Sequence, residues 1–140
     1  MKEKIVFLCT GNSCRSQMAE GFAIKYWGDK YQIYSAGTKK HGMNPRAIQV
    51  MKEIGVDLSN HFSKTLEELP KENFDYVFTV CSSANENCPY LPASKIVHHG
   101  FDDPPAMTRE MSNEEEILAI YRRVRDEIKE FIKSMEIHLK

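Results

Sequence analysis

The 140-residue sequence predicts an α/β fold, an open four-stranded parallel sheet with helices on both faces. Short apolar segments alternate along the chain with segments of helical periodicity, which is typical of repeated strand–helix units. The length fits one domain over residues 1–140, and 41% apolar residues are enough to form one core.

Two strand–helix pairs are predicted in the first half of the chain. Residues 5–8 (IVFL) form a continuous apolar run, as expected for a strand buried on both faces, and a helix follows over residues 16–27. A second strand is predicted over residues 31–37. Asn44 as N-cap and Pro45 at the first helical position then predict the start of a second helix.

Two further strands and a long helix are predicted in the second half. The strands cover residues 74–81 and 95–100, and Ser112 with Glu115 predicts a capping box at the start of the last helix. The apolar stripe of that helix comprises Ile117, Ile120, Tyr121, Val124, Ile128, Phe131 and Met135. Its solvated side is predicted to carry Arg122, Arg123 and Arg125, with Arg122 paired to Asp126.

Composition limits the possible partners. Lys and Arg number 19 and Asp and Glu number 20, a net charge of -1, so no overall attraction to nucleic acid or an anionic membrane is expected. No apolar run is long enough for a signal peptide or a membrane span. We therefore expect a cytoplasmic protein with no nucleic-acid or membrane partner, and we expect it to be a monomer. In that reducing compartment its four cysteines should be free thiols, metal ligands or catalytic groups.

The segment CTGNSCR, from Cys9 to Arg15, lies between the first predicted strand and helix. The backbone N–H groups of such a turn converge on one point, to which the helix N-terminus adds partial positive charge. The segment therefore predicts a binding site for a tetrahedral oxyanion. Its predicted oxyanion-binding residues are Thr10, Gly11, Asn12, Ser13, Cys14, Arg15 and Ser16.

Cys9 is the predicted nucleophile of this site. Arg15 offers two parallel donors to an oxyanion, and the positive surroundings favour the thiolate form of Cys9, to which Ser16 can donate a hydrogen bond. A thiolate held against an oxyanion is arranged for in-line displacement. The segment lacks the lysine and second glycine of a nucleotide P-loop, so ATP or GTP binding is disfavoured. The C-x5-R spacing alone would also fit an inert buried cysteine.

Cys81 and Cys88 form a second thiol pair in the segment CSSANENCP. A zinc site that uses all four cysteines is disfavoured, because structural zinc sites prefer closer spacing and the metal would consume the nucleophile. Two unrelated buried thiols are also disfavoured, because the residues between them are small and polar. A redox relay is the functional alternative.

Several motifs occur in order along nearly the whole chain: CTGNSCRSQMAEG, YSAGT, HGMNP, SNH, CSSANENCP and GFDDP. With them the sequence resembles the low-molecular-weight phosphotyrosine phosphatase superfamily and, within it, the thioredoxin-coupled arsenate reductases. The first motif matches the reductases closely, since Gln17 stands where the phosphatases typically have proline.

The resemblance implies a reaction sequence without a metal or an organic cofactor. Cys9 attacks arsenate, for which phosphate is an analogue, while Arg15 and the loop amides bind the oxyanion and Asp103 protonates the departing hydroxide. Cys81 then attacks Cys9, which releases arsenite and leaves a disulfide. Cys88 attacks Cys81 in turn, and thioredoxin reduces the resulting Cys81–Cys88 disulfide. Closing that pair requires the intervening segment to unwind if it is helical.

The acid is assigned from the family pattern, which places the working carboxylate directly before proline and therefore selects Asp103 over Asp102. Phosphatases of the superfamily usually continue with aromatic residues, but Pro105 and Ala106 follow here, which favours a small inorganic substrate. A low-molecular-weight phosphatase acting on aryl phosphates is the second candidate function. A non-enzymatic arsenic or redox sensor is the third, although no basic recognition helix is visible.

The resemblance also bears on potassium. Some reductases of this family bind the ion through residues that correspond to Asn12, Glu20, Ser35 and Lys64. Because the fourth position carries an ammonium, we expect Lys64 to replace the ion, to hold Glu20 and Asn12, and to make the protein indifferent to potassium.

Overall fold

The computed structural model describes residues 2–39, 42–70, 73–81, 91 and 93–139. It confirms the predicted four-stranded sheet, which is parallel throughout with the order β2-β1-β3-β4. The strands are β1 Glu3–Leu8, β2 Tyr31–Ala36, β3 Phe74–Thr79 and β4 Ala93–His98. The α-helices are α1 Arg15–Trp27, α2 Pro45–Glu53, α3 Pro104–Met107 and α4 Glu114–Lys133, and two 3-10 helices cover Leu66–Glu68 and Met135–Leu139.

In the described part of the chain, α1, α2 and α4 pack on one face of the sheet, and the 3-10 helix Leu66–Glu68 lies on the other. The larger core contains Ile5 and Phe7 of β1 with buried residues of α1, α2 and α4. The smaller core on the other face contains Val6 and Leu8 of β1, against which the 3-10 helix Leu66–Glu68 contributes Leu66. Alternate residues of β1 thus enter opposite cores, as the pleat of a strand buried on both faces requires. No helix in the described part of the chain is long and apolar enough to span a membrane.

The two predicted helix caps have different outcomes. The Asn44 cap is confirmed, because its side chain accepts hydrogen bonds from the N–H groups of Arg46 (2.9 Å) and Ala47 (3.2 Å). The predicted Ser112 and Glu115 box is wrong: Asn113 is the N-cap of α4 and accepts from the Glu116 N–H at 3.1 Å. Serine and asparagine are about equally favourable as N-cap residues, so residue type alone does not show which of Ser112 and Asn113 caps α4.

The prediction that all three arginines of α4 lie on a solvated side is wrong. Arg125 is buried and donates to the Val50 carbonyl (2.9 Å) and to Glu53 of α2 (2.9 Å). Arg122 pairs with Glu53 (2.7 Å) instead of Asp126. These contacts join α2 to α4, because α2 supplies the carboxylate that both guanidinium groups need at this helix interface.

Candidate functional site

A cavity of about 270 Å³ lies where the strands end, beside the loop that follows β1 and the short helix α3. This is the edge of a parallel sheet at which ligands bind in open α/β folds. The cavity is lined by Cys9, Thr10, Gly11, Ser13, Cys14, Arg15, Asp103, Pro105, Ala106 and Arg109. The structure therefore brings most of the predicted loop residues together with Asp103, while Asn12 and Ser16 lie behind the loop.

The loop presents its amides to the cavity because its carbonyl oxygens are occupied on the outside. The Thr10 carbonyl accepts from the Thr38 N–H (2.9 Å), the Gly11 carbonyl from the Ser63 hydroxyl (2.9 Å) and the Ser13 carbonyl from the Asn44 N–H (3.1 Å). In a planar trans peptide the N–H of the next residue points the opposite way. The N–H groups of Gly11, Asn12 and Cys14 are therefore directed away from these partners, as an anion-binding loop requires.

Two backbone features allow this loop to form. Asn12 has a φ of 48°, a left-handed conformation that asparagine tolerates better than most residues. Gly37 at the end of β2 lies directly against the loop, and a Cβ there would be 2.5 Å from the Thr10 carbonyl oxygen and 2.7 Å from that of Cys9. Only glycine permits so close an approach of the two backbones.

A directed series of hydrogen bonds ends at the Cys9 sulfur. The backbone N–H of Lys64 donates to Asn12 Oδ1 (2.8 Å), which fixes the orientation of that amide. Asn12 Nδ2 then donates to Ser16 Oγ (2.8 Å), and Ser16 Oγ lies 3.1 Å from Cys9 Sγ. Since Ser16 accepts from Asn12, its single hydrogen is available to the sulfur. The sulfur of the predicted nucleophile therefore has a hydrogen-bond donor directed at it.

Gln17 joins the loop to the segment that precedes Lys64. Its Nε2 donates to the carbonyl oxygens of Asn12 (3.2 Å) and Phe62 (2.9 Å), so its Oε1 must accept from His61 Nδ1 at 3.1 Å. His61 Nδ1 also lies 3.2 Å from Glu20 Oε1. The imidazole hydrogen is thereby assigned to Nδ1, and His61 joins its own segment to α1, from which Gln17 reaches the loop.

Arg15 is buried and held from two sides. Its Nη1 donates to the Phe101 carbonyl (3.2 Å), and its Nη2 lies 3.5 Å from Asp103 Oδ2. The neighbouring carboxylate of Asp102 instead pairs on the surface with Arg123 at 2.9 Å. Of the two adjacent aspartates, only Asp103 lines the cavity.

Cys14 lies in the loop but differs from Cys9. Burial raises the pKa of the Cys14 thiol far above its usual range, with a smaller contribution from the charge of Cys9. Cys14 is also the residue before α1, so its backbone takes part in the start of that helix. A protonated and buried thiol is a packing group.

Cys81 is placed beside Cys9 by the register of the sheet. Leu8 pairs with Thr79, and the ladder continues with a bond from the Val80 N–H to the Leu8 carbonyl (3.0 Å). Cys81 is buried and disulfide-bonded, whereas Cys9 and Cys14 are free. The remaining predicted relay residue, Cys88, lies outside the described residues.

Of the two contacts predicted for the Lys64 ammonium, the structure shows the one to Glu20 and not the one to Asn12. Its Nζ lies 4.0 Å from Glu20 Oε1 and donates to the Phe62 carbonyl at 3.0 Å. Asn12 is held by the backbone N–H of Lys64 and not by the ammonium. Ser35 donates to Glu20 Oε1 (3.0 Å), so the carboxylate is satisfied by protein donors.

The other clusters that the structure describes offer no comparable chemistry. A larger cavity of about 740 Å³ is lined by aromatic rings, including Phe101 and Phe131, and by acidic residues of α4, with no thiol. Within the described ranges, no group of three or more His, Cys, Asp or Glu side chains is arranged to hold a metal. Reasoning from sequence did not assign roles to Gln17, Ser63 and Arg109, although Gln17 already stood out as the position where proline was replaced.

Comparison with known proteins agrees with this geometry. The family model described as low molecular weight phosphotyrosine protein phosphatase matches residues 4–140. An arsenate reductase of Halalkalibacterium halodurans is 50% identical over 134 residues, 95% of this chain and 94% of the relative. One of Bacillus subtilis is 51% identical over 130 residues, 91% of each chain. A solved arsenate reductase in its phosphate-binding state superimposes with a TM-score of 0.78 at 29% identity, covering 99% of both chains.

Proposed function

The chain belongs to the low molecular weight phosphotyrosine protein phosphatase family and is an arsenate reductase, and we propose that it works by a three-cysteine relay that thioredoxin regenerates. One observation carries the proposal. A free thiol at the end of β1, a buried guanidinium and a carboxyl group converge on one cavity, and a second thiol position lies at the end of the neighbouring strand.

In the first step the Cys9 thiolate attacks arsenic(V). The loop amides and Arg15 hold the oxyanion so that one As–O bond lies opposite the incoming sulfur. As the S–As bond forms, this As–O bond breaks, and the departing hydroxide takes a proton from Asp103 and leaves as water. Asp103 lies 3.5 Å from Arg15 and lines the same cavity, which supports its role as the acid.

In the second step Cys81, once reduced, attacks the Cys9 sulfur. The S–S bond forms and the S–As bond breaks, and the electron pair of that bond goes to arsenic, which leaves as arsenite. Strand geometry supports this step: Cys81 follows β3 one residue beyond the level of Cys9, which separates their Cα atoms by roughly 6 Å. That separation is within the range that a disulfide spans.

In the third step Cys88 attacks Cys81, and Cys9 leaves as a thiolate ready for another cycle. The new disulfide is then reduced by an external dithiol. Cys81 is disulfide-bonded while Cys9 is free, which supports Cys81 as the thiol that passes the disulfide on. Thioredoxin is the proposed reductant, and a reducing cytoplasm is the proposed location because the cycle begins from free thiols.

A coupled assay tests the proposal. The protein is mixed with thioredoxin, thioredoxin reductase and NADPH, and NADPH oxidation is followed with and without arsenate. Oxidation should require arsenate and thioredoxin, should not occur with phosphate in place of arsenate, and should be lost in Cys9→Ser. Arsenate-dependent turnover that persists without thioredoxin contradicts the proposed coupling.

A residual phosphatase activity follows from the same geometry. Aryl phosphate hydrolysis needs only a thiolate, an oxyanion site and an acid, and Cys9, Arg15 and Asp103 supply these without the relay. Phosphate and arsenate have nearly the same shape and charge. Slow hydrolysis of aryl phosphates that Cys88→Ser retains and Cys9→Ser loses is therefore expected.

A further inference from the structure

Among the described residues that line the cavity, Arg109 is a cation for which no partner is found. Arg15 is paired with Asp103 at 3.5 Å, so much of its charge is compensated before any substrate arrives. Arg109 also lines the cavity, and its side chain is exposed. Across the described part of the chain, no ion pair or hydrogen bond of the Arg109 side chain is found.

We propose that Arg109 is a second substrate-binding arginine, which contacts the oxygens of the bound oxyanion that face away from the loop. The inference rests on the proposed function in that it concerns the same cavity. A tetrahedral oxyanion cannot direct all of its oxygens at the loop, because at least one must point outward. A guanidinium at the cavity wall is suited to that oxygen.

The backbone holds Arg109 in a fixed relation to Asp103. The single turn of α3 begins with a bond from the Met107 N–H to the Asp103 carbonyl (2.9 Å). The next residue, Thr108, is buried and bonds the Pro104 carbonyl twice, through its N–H (3.0 Å) and through its hydroxyl (2.8 Å). The acid and Arg109 therefore belong to one rigid turn, placed across the cavity from the loop.

Electrostatics gives this arginine a purpose that Arg15 alone does not serve. The substrate carries negative charge and must approach the negative Cys9 thiolate, while the carboxyl group of Asp103 faces the same space. The nearby Arg123 is already paired with Asp102 (2.9 Å) and Glu127 (2.8 Å). An unpaired cation at the wall offsets this repulsion and attracts the anion.

The first test measures equilibrium binding of inorganic phosphate, which needs no reductant. Arg109→Gln should weaken phosphate binding about tenfold, or about 1.4 kcal/mol, and Arg109→Lys should restore most of the affinity. Lys133→Gln removes the same charge from an exposed position of α4 and should leave binding within about twofold of the native value. Binding that Arg109→Gln does not change, or that Lys133→Gln weakens equally, overturns the proposal.

The second test uses arsenate turnover. In Arg109→Gln the KM for arsenate should rise about tenfold, with a smaller change in kcat, because the positive charge at the cavity wall attracts the anion before the reaction as well as during it. A fall in kcat at unchanged KM contradicts a binding role. If the native protein fails to turn over arsenate, the relay is wrong, whereas the phosphate measurement still decides the role of Arg109.

Discussion

The adjacent residues Asp102 and Asp103 provide a matched pair of variants. Asp103 lines the cavity 3.5 Å from Arg15, whereas Asp102 lies on the surface and pairs with Arg123 at 2.9 Å. Asparagine at either position keeps the size of the side chain and removes its ability to act as an acid. We expect Asp103→Asn to lose nearly all turnover and Asp102→Asn to lose very little.

The magnitudes follow from what each carboxyl group contacts. A positioned general acid contributes about 10² to 10⁴ in rate, or about 2.7 to 5.4 kcal/mol. The Asp102 pair joins side chains that are 55% and 43% exposed, so its loss should cost at most about 1 kcal/mol of stability. Asp103→Asn also frees the charge of Arg15, so phosphate should bind as tightly as before or more tightly.

The assay is steady-state hydrolysis of two aryl phosphates that differ in their leaving group. Phenyl phosphate has the poorer leaving group and needs the acid more than nitrophenyl phosphate does, so Asp103→Asn should slow its hydrolysis by the larger factor. Phosphate inhibition, measured in parallel, reports binding. Equal losses for Asp102→Asn and Asp103→Asn, or the same factor for both substrates, would refute the assignment of the acid.

Three further substitutions test other parts of the site and fold. Cys14→Ser should keep activity within about threefold, because burial holds that thiol protonated, and a folded variant with under about a hundredth of native activity would show that Cys14 reacts. The melting temperature of the native protein should be the same in potassium chloride and in sodium chloride. Lys64→Asp adds a carboxylate beside Glu20, so this variant should melt at a higher temperature in potassium chloride. If the variant melts at the same temperature in both salts, Lys64 does not replace an ion. Glu53→Gln should lower the free energy of unfolding by about 1 kcal/mol at neutral pH. The hydrogen bond from Arg122 lowers the pKa of Glu53, so this difference should be present above the unfolded pKa and disappear as acid titration passes through the folded pKa, and a difference independent of pH would contradict it.

The sheet was predictable because its signals are local. The apolar run in β1 and the Asn44 cap with Pro45 each depend on a few neighbouring residues, and the structure has the corresponding elements within two or three residues of the predicted bounds. The loop after β1 was also predictable, since one segment contains both Cys9 and Arg15. Its left-handed residue, Asn12, is of a type that tolerates this conformation.

Contacts between distant segments were not predictable in the same way. Arg125 has an ordinary polar position in the helical pattern, and only the approach of α2 explains its burial against Val50 and Glu53. The contact between Gln17 and His61 likewise joins residues 44 positions apart. The sequence around Arg109 contains no motif that predicts a role, and only the turn of α3 brings this residue to the cavity.

The central claim is that two thiols suffice for one reduction and that the third is needed only for repeated cycles. The most direct measurement counts the arsenite released per molecule of prereduced Cys88→Ser, with thioredoxin, its reductase and NADPH present. The relay predicts one arsenite per protein and then no further release, while the native protein continues to turn over. Sustained thioredoxin-dependent release by Cys88→Ser would contradict the relay, as would the failure of that variant to release even the first arsenite.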